Sequence, residues 1–329
     1  MKEKERTTDV SGCIRCGKCR NGCSFLTKYN LIIGDKEQLK ELAYHCFLCG
    51  RCTRVCPVNI DGRQIFMDFR KELAEEQEKK VRKDYRGMLW EKNHYKYRNY
   101  KNAAPKDSSV HTVYFPGCNF PSLFPKTNAY LSDLLREKAG IGTAYDCCGK
   151  PVAELGLEAD ACRIAKEITD QLQSAGIDEI VTACPNCFYH LTPLIPLKVT
   201  SIYDKLLELG IGKAIERDLH FFVPCPDREF HAWVQSIEKF VKGEILIEDE
   251  PQCCGMGGSG GKCEPELAKE MAGSFSGYEG GIDTCCATCT GSFTRAGAEM
   301  HHVLSEILGT HEMPDTGRSY LNRVKTKWK

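Results

Sequence analysis

The sequence predicts a mixed fold, in which a mainly helical unit of clustered cysteines is followed by two pseudo-repeated α/β units built on parallel sheets. Three observations predict it. The 21 cysteines are uneven: eight lie between Cys13 and Cys56, none between 57 and 117, and thirteen between Cys118 and Cys289. After residue 110, short apolar runs at 110–115, 177–183, 219–223 and 245–247 alternate with longer stretches of helical spacing, the pattern of parallel sheets. A five-cysteine plan also occurs twice in this second part, and a repeat of that length is a fold signal in its own right.

The cysteine gap and the change of pattern divide the chain into a helical unit at 1–86, a linker at 87–109, α/β units at 110–200 and 201–312, and a tail at 313–329. Residues 63–86 are rich in Glu, Lys and Arg around Ile65, Phe66, Phe69 and Leu73, which predicts one amphipathic helix leaving the helical unit. The Lys, Arg and Tyr of 94–101 read as a solvated connector whose rings pack on a neighbour, not as an RNA or lipid patch.

Composition narrows the chemistry. A chain of 329 residues buries a core without crosslinks, so this many cysteines mean either a secreted disulfide array or thiolate-bound metal. Met1-Lys2-Glu3-Lys4-Glu5-Arg6 opens no apolar leader, and the thiols are expected to stay reduced in the cytoplasm. No run approaches 18 apolar residues, so no membrane span of its own is expected. Lys plus Arg equals Asp plus Glu at 45 each, which leaves no global field for nucleic acid or anionic lipid.

The helical unit carries Cys13-x2-Cys16-x2-Cys19-x3-Cys23 and Cys46-x2-Cys49-x2-Cys52-x3-Cys56-Pro57, the ferredoxin spacing. Three close thiolates wrap one cluster while the fourth, further along, ligates the other. Two 4Fe-4S cubanes are expected, one on Cys13, Cys16, Cys19 and Cys56, the other on Cys46, Cys49, Cys52 and Cys23. Gly12, Gly17, Gly22 and Gly50 let backbone N–H groups point at the sulfurs. Lys18, Arg20, Arg51 and Arg54 read as surface charge, with tuning of the clusters as the alternative. Structural zinc is the rival for the constellation, and two complete runs of matched spacing speak against it. Ser24 follows Cys23 where proline is usual, which touches the turn and not the ligand set.

In the second part, Cys118 precedes Cys147-Cys148-Gly149 by 28 intervening residues, and Cys184-Pro185-Asn186-Cys187 lies 35 further on; Cys225, Cys253-Cys254-Gly255 and Cys286-Ala287-Thr288-Cys289 repeat the plan with gaps of 27 and 31. Each lone cysteine follows an apolar run, so five thiols can meet at the carboxyl ends of parallel strands. Vicinal cysteines diverge and suit an inorganic core larger than one ion.

These segments, with Tyr114-Phe115-Pro116-Gly117-Cys118 and Cys253-Cys254-Gly255-Met256-Gly257-Gly258, resemble the CCG, or cysteine-rich, domain of heterodisulfide reductases. With the two-cluster ferredoxin unit in front, the chain from Cys13 to about Leu308 resembles the D-type member of that family, in which C-type and B-type parts are fused. The resemblance implies a noncubane 4Fe-4S cluster on Cys118, Cys147, Cys148, Cys184 and Cys187, another on Cys225, Cys253, Cys254, Cys286 and Cys289, and reductive cleavage of a disulfide by the pair. Around Cys225 the chain reads Val223-Pro224-Cys225-Pro226-Asp227 where the family has Asp-Pro-Cys-His, and the last C-x-x-C lacks its proline. Cys285 abuts Cys286 as a spare ligand. Cys162 and Cys263 read as inert thiols.

The expected function is therefore that of an iron–sulfur oxidoreductase subunit passing electrons through two cubanes to noncubane clusters that reduce a disulfide. The alternative is the electron-transfer subunit of a glycolate- or lactate-type dehydrogenase or a membrane-linked respiratory complex, and a weaker third is a redox-regulated or scaffold protein in which the metal is structural. Expected partners are a flavoprotein or membrane cytochrome subunit or a ferredoxin, at the inner face of the membrane where the partner is a cytochrome. Gly255-Met256-Gly257-Gly258-Ser259-Gly260 matches G-x-G-x-x-G but follows cysteines and no plain strand, and is rejected as a dinucleotide site. His45, His190 and His231 read as structural.

Overall fold

A computed structural model describes residues 5–93 and 97–329. The cysteine loops of the helical unit turn through Gly17, Gly22 and Gly50, all at positive φ. Its strongest helix, Gly62–Glu76, starts on Asp61, whose carboxylate accepts from the Gln64 N–H at 3.0 Å. The helix buries Ile65, Phe66 and Phe69 against Phe25, Leu26 and Leu39, which closes the core between the two cysteine runs. Arg70 on the same helix is fully buried and donates to the carbonyls of Ala43, Cys46, Glu154 and Gly258 at 2.6–3.0 Å. One guanidinium thus joins the helical unit to both α/β units.

The expected single helix over 63–86 is broken. It ends at Glu76, resumes as Glu78–Asp84 after Gln77 leaves helical geometry, and continues as Arg86–Asn93. The breaks turn Val81, Tyr85 and Leu89 into the core of the first sheet, which a straight helix ending in solvent would forgo.

Among the described residues nine strands form two sheets: β1 Asn99–Asn102, β2 Thr112–Phe115, β3 Gly142–Tyr145, β4 Glu179–Thr182 and β5 Lys198–Ser201 in one, and β6 Leu219–Phe222, β7 Ile245–Glu248, β8 Ile282–Thr284 and β9 Met300–His302 in the other. The orders are β1-β3-β2-β4-β5 and β7-β6-β8-β9. Setting β1 aside, both sheets are parallel and have the same order, each beginning on an inner strand. Strands β1, β3, β5, β8 and β9 lie outside the apolar runs of the sequence, since they are short or mix polar with apolar residues.

The linker expected at 87–109 is not free chain. Residues 94–96 of the basic, aromatic segment lie outside the described residues, but β1 follows directly and pairs antiparallel with β3, Asn99 opposite Tyr145. Polar side chains did not prevent a strand because an edge strand needs only one backbone partner. Nor is the tail at 313–329 loose: helix Ser319–Lys325 lies on helix Phe120–Leu123, with Asn322 donating to the Ser122 carbonyl at 3.2 Å and the Asn99 amide donating to the Thr326 carbonyl at 3.0 Å. The boundary at 200 also cuts an element: β5 runs to Ser201 and leads into helix Ile202–Glu208, capped by the Ser201 hydroxyl.

The largest core belongs to both α/β units. Tyr114, Leu131 and Val181 of the first pack with Tyr203, Phe221, Trp233 and Val303 of the second, so the units share one apolar interior.

Candidate functional site

The cysteine loops of the helical unit wall two cavities. Cys13, Cys16, Cys19 and Cys56 line one, with Cys52 reaching it from beside; Cys23, Cys46, Cys49 and Cys52 line the other. The fourth cysteine of each run therefore stands with three of the opposite run. Backbone N–H groups of Leu26, Ile33, Leu48 and Ile60 donate to the sulfurs of Cys23, Cys19, Cys46 and Cys56 at 3.3–3.5 Å. Donors aimed at sulfur favour thiolate and bound metal over thiol. A Cβ added at Gly34 would sit 2.8 Å from Cys13 Sγ, and one at Gly62 2.6 Å from Cys52 Sγ, so both loops need glycine to leave room around the sulfurs. Among the described residues, no three His, Cys, Asp or Glu side chains close on a point as they would for a single ion. Soft sulfur donors spread around a cavity suit an iron–sulfur core.

Each five-cysteine set also comes together. Cys118 is within hydrogen-bonding reach of Cys147, and Cys148 of both Cys147 and Cys187; Cys184 reaches Cys187. The second set repeats the contacts, Cys225 with Cys253, and Cys254 with Cys253 and Cys289, which in turn reaches Cys286. In both sets the second of the vicinal cysteines is the acidic one. Hydrogen bonds from Cys147 and Cys187 pull the Cys148 thiol down to about 5, and those from Cys253 and Cys289 do the same to Cys254.

The fold explains the convergence. Every one of these cysteines lies just beyond the carboxyl end of a parallel strand: after β2, β3 and β4 in the first unit, and after β6, β7 and β8 in the second. Cys184 and Cys286 are the residues before helices Pro185–Leu191 and Ala287–Arg295, with nearly equal backbone angles of −127°, 119° and −121°, 111°. Gly149 and Gly255, next to the vicinal pairs, both turn at positive φ, 84° and 79°. At Gly255 a side chain would also meet the Ala268 carbonyl oxygen at 2.5 Å.

Cys285 is turned away from the second set and packs in the shared core. Successive side chains past a strand end face opposite ways, so Cys286 joins Cys254 and Cys289 while Cys285 enters the shared core. Cys162 is exposed on helix Glu158–Ser174, and Cys263 bonds with the Tyr85 hydroxyl. His45 pairs with Glu264 at 2.6 Å. His231 occupies a left-handed turn before helix Ala232–Glu238. His190 lies in a cavity wall with its Nε2 buried and, among the described residues, without a hydrogen-bond partner, and burial together with Lys150 holds it down to about 4.

The four thiol sets follow one another in space. Phe47 and Cys49 pack against Cys253, and Gln252 places its amide 3.9 Å from Cys23 Sγ. The glycine-rich segment after Cys254 makes this approach possible: a Cβ at Gly257 would strike the Phe47 carbonyl oxygen, and one at Gly258 or Gly260 that of Cys46. Its glycines serve packing between units. The two five-cysteine sets then face each other through the Asn186 amide, which donates to Cys286 Sγ at 3.6 Å, and the Asn119 amide, which donates to the Thr288 hydroxyl at 2.6 Å.

Basic side chains that the spacing of the cysteines could not place complete the site. Arg228 is buried beside Cys225, held by the carbonyls of Val223, Pro251 and Gln252. Arg54, which read as surface charge, lies beside Cys49 and Cys225 with its guanidinium lowered by burial and by Arg228. Arg51 pairs with Glu250 of the second unit. Lys92 brings its ammonium 3.9 Å from Cys118 Sγ; burial alone would lower it, but the sulfurs of Cys118 and Cys147 and the Glu91 carboxylate hold it well above its ordinary value. A cavity of about 370 Å³ opens on Cys225, walled by Lys150, Tyr189 and His190 of the first unit, Pro226 and Phe230 of the second, and Arg54 and Arg63 of the helical unit.

Comparison with known proteins accords with this layout. Residues 9–60 match the 4Fe-4S dicluster domain and residues 112–192 the cysteine-rich domain. The chain is 26% identical over 267 residues to an uncharacterized iron–sulfur protein of Methanococcus maripaludis, covering 72% of this chain and 53% of that one. It is 23% identical over 328 residues to another from Methanocaldococcus jannaschii, covering 87% and 67%. One subunit of a fumarate reductase (CoM/CoB) from Methanothermobacter marburgensis is 22% identical over 311 residues, covering 80% and 62%. The chain thus spans between about half and two thirds of the length of these relatives. Among the described residues no helix is long and apolar enough to cross a membrane.

Proposed function

From an iron–sulfur chain that joins a 4Fe-4S dicluster domain to a cysteine-rich domain, the pairing of heterodisulfide reductase-like proteins, we propose a component that receives electrons from a partner and delivers them to a disulfide. Cys13, Cys16, Cys19 and Cys56 would hold one cubane and Cys23, Cys46, Cys49 and Cys52 the other. Residues 201–312 would be a second cysteine-rich domain, a reading supported by the common strand order and by the matching cysteine positions. Each five-cysteine set would then hold a noncubane 4Fe-4S cluster. When bound, such clusters supply one-electron steps and thiophilic iron.

The observation that carries the reading is the cavity at Cys225, which both α/β units wall. Its 370 Å³ is within the range of small-molecule sites. Reduction of a disulfide consumes two electrons and two protons and yields two thiols, so two electron-holding sites facing each other suit it. Arg54 would orient an anionic end of the substrate, Lys150 and Arg63 being turned to Glu154 in the same wall, and Tyr189 and Phe230 would exclude water.

The test is an anaerobic preparation analysed for iron and sulfide, then assayed with a reduced dye and a panel of disulfides. About sixteen irons per chain and turnover with at least one disulfide are expected. Full loading without turnover on any disulfide overturns the reductase reading. It would leave a second reading, an electron-transfer component of a dehydrogenase complex, which the succession of four thiol sets and the likeness to a fumarate reductase subunit support. In that case a flavoprotein partner should reduce the chain directly.

A further inference from the structure

Lys92 sits at the end of helix Arg86–Asn93, in a segment the cysteine pattern assigns to neither domain, yet its side chain is only 8% exposed. Its ammonium lies 3.0 Å from Glu91 Oε1 and 3.9 Å from Cys118 Sγ. Glu91 is shared, because Arg323 of the C-terminal helix pairs with the same carboxylate oxygen. Arg323 also donates to Asn119 Oδ1 at 2.7 Å, and Asn119 is the residue after Cys118. Linker and tail therefore converge on one thiol set from outside its sheet.

A buried ammonium with half a carboxylate on one side is unfavourable unless more negative charge stands on the other. The sulfurs of Cys118 and Cys147 are what it faces. The second set is furnished differently: Arg228 comes from its own loop and is held by three carbonyls, and Arg54 reaches Cys225 from the helical unit.

We propose that Lys92 is a positioning residue for the first five-cysteine set, a fixed positive charge that stabilises the reduced state of the cluster held there and makes that set the resting place of electrons. The inference rests on the reading that Cys118 and its companions hold a cluster. Adding an electron adds negative charge, and a cation a few ångströms away in a low-dielectric interior favours that state strongly.

The experiment is an EPR-monitored redox titration of the anaerobic holoprotein, with the first-set signal identified as the one lost in Cys184→Ala. Lys92→Gln should lower the reduced-to-oxidised ratio of that signal at least tenfold at fixed potential, about 59 mV for a one-electron couple. Lys92→Arg should stay within about twofold of wild type, and the signal of the second set should not move. An unchanged potential in Lys92→Gln overturns the inference, as does an equal shift in Lys92→Arg, which would mark a packing role. Should Lys92→Gln fail to fold, Lys92→Met supplies the neutral variant. Wild-type protein without the first-set signal overturns the cluster reading and the inference with it, whereas a present but insensitive signal overturns the inference alone.

Discussion

The Asn186 side-chain amide donates to Cys286 Sγ across 3.6 Å, so the turn that carries two thiols of the first α/β unit touches a thiol of the second. Asn186 lies between Cys184 and Cys187, so this contact ties the turn of one thiol set to the other. Asn186→Ala should cost about 1 kcal/mol of stability, the worth of one neutral hydrogen bond. Iron content should stay at the wild-type level, and disulfide turnover should fall by about tenfold, equivalent to about 1.4 kcal/mol in the barrier. Anaerobic denaturant titration and the dye-linked assay measure the two effects separately.

The crossed placement of the fourth cysteines leads to a sharper expectation. Cys56 lies on the cavity of Cys13, Cys16 and Cys19, and Cys23 on that of Cys46 and Cys49. Cys56→Ala should remove about four irons and leave the cluster nearer Cys253, and Cys23→Ala should do the reverse. Iron analysis with the EPR interaction pattern decides which cluster is lost. Loss of the neighbouring cluster in each case would mean unshared ligand sets.

Glycines at the seam between units should be far more sensitive than glycines elsewhere. In Gly257→Ala the new methyl meets the Phe47 carbonyl oxygen, which backbone cannot easily yield, and a loss of about 1–3 kcal/mol is expected. Electron passage from the helical unit to the second five-cysteine set should slow with it, as seen in stopped-flow reduction. Gly273→Ala, on helix Pro265–Gly273 with open space around it, should be neutral or stabilising by up to about 1 kcal/mol.

His190 should make stability depend on acid. Its folded-state value, about 4, lies below the unfolded one, so between roughly pH 6.5 and 4 the unfolded chain binds a proton that the folded chain refuses. Stability therefore falls as pH drops through that window, by up to about 3 kcal/mol, and is fully present above it. His190→Gln should flatten the dependence. Comparing thermal unfolding of both proteins at pH 7 and 5 cancels the acid lability common to the clusters, and parallel slopes would contradict the assignment.

What the sequence determined by itself was what is local. Cysteines two or three residues apart must share a loop, so the two runs and the two C-x-x-C turns were legible from spacing, as were β2, β4, β6 and β7, whose apolar residues stand in unbroken runs. Tertiary structure decided the rest. Nothing in the spelling of 63–86 announces a break at Gln77, because the break is imposed by Val81, Tyr85 and Leu89 reaching another unit's core. Cys285 and Cys286 are indistinguishable as letters, and only the facing of the chain past β8 sends one to the shared core and the other to its companion thiols. Lys92 and Arg323 are separated by 230 intervening residues and lie in segments without cysteine, so no motif could bring them to Cys118. Spacing along a chain specifies which groups share a loop; the distance between loops is set by how whole faces bury their apolar surface, and charge placed across such a seam is visible only once the faces have met.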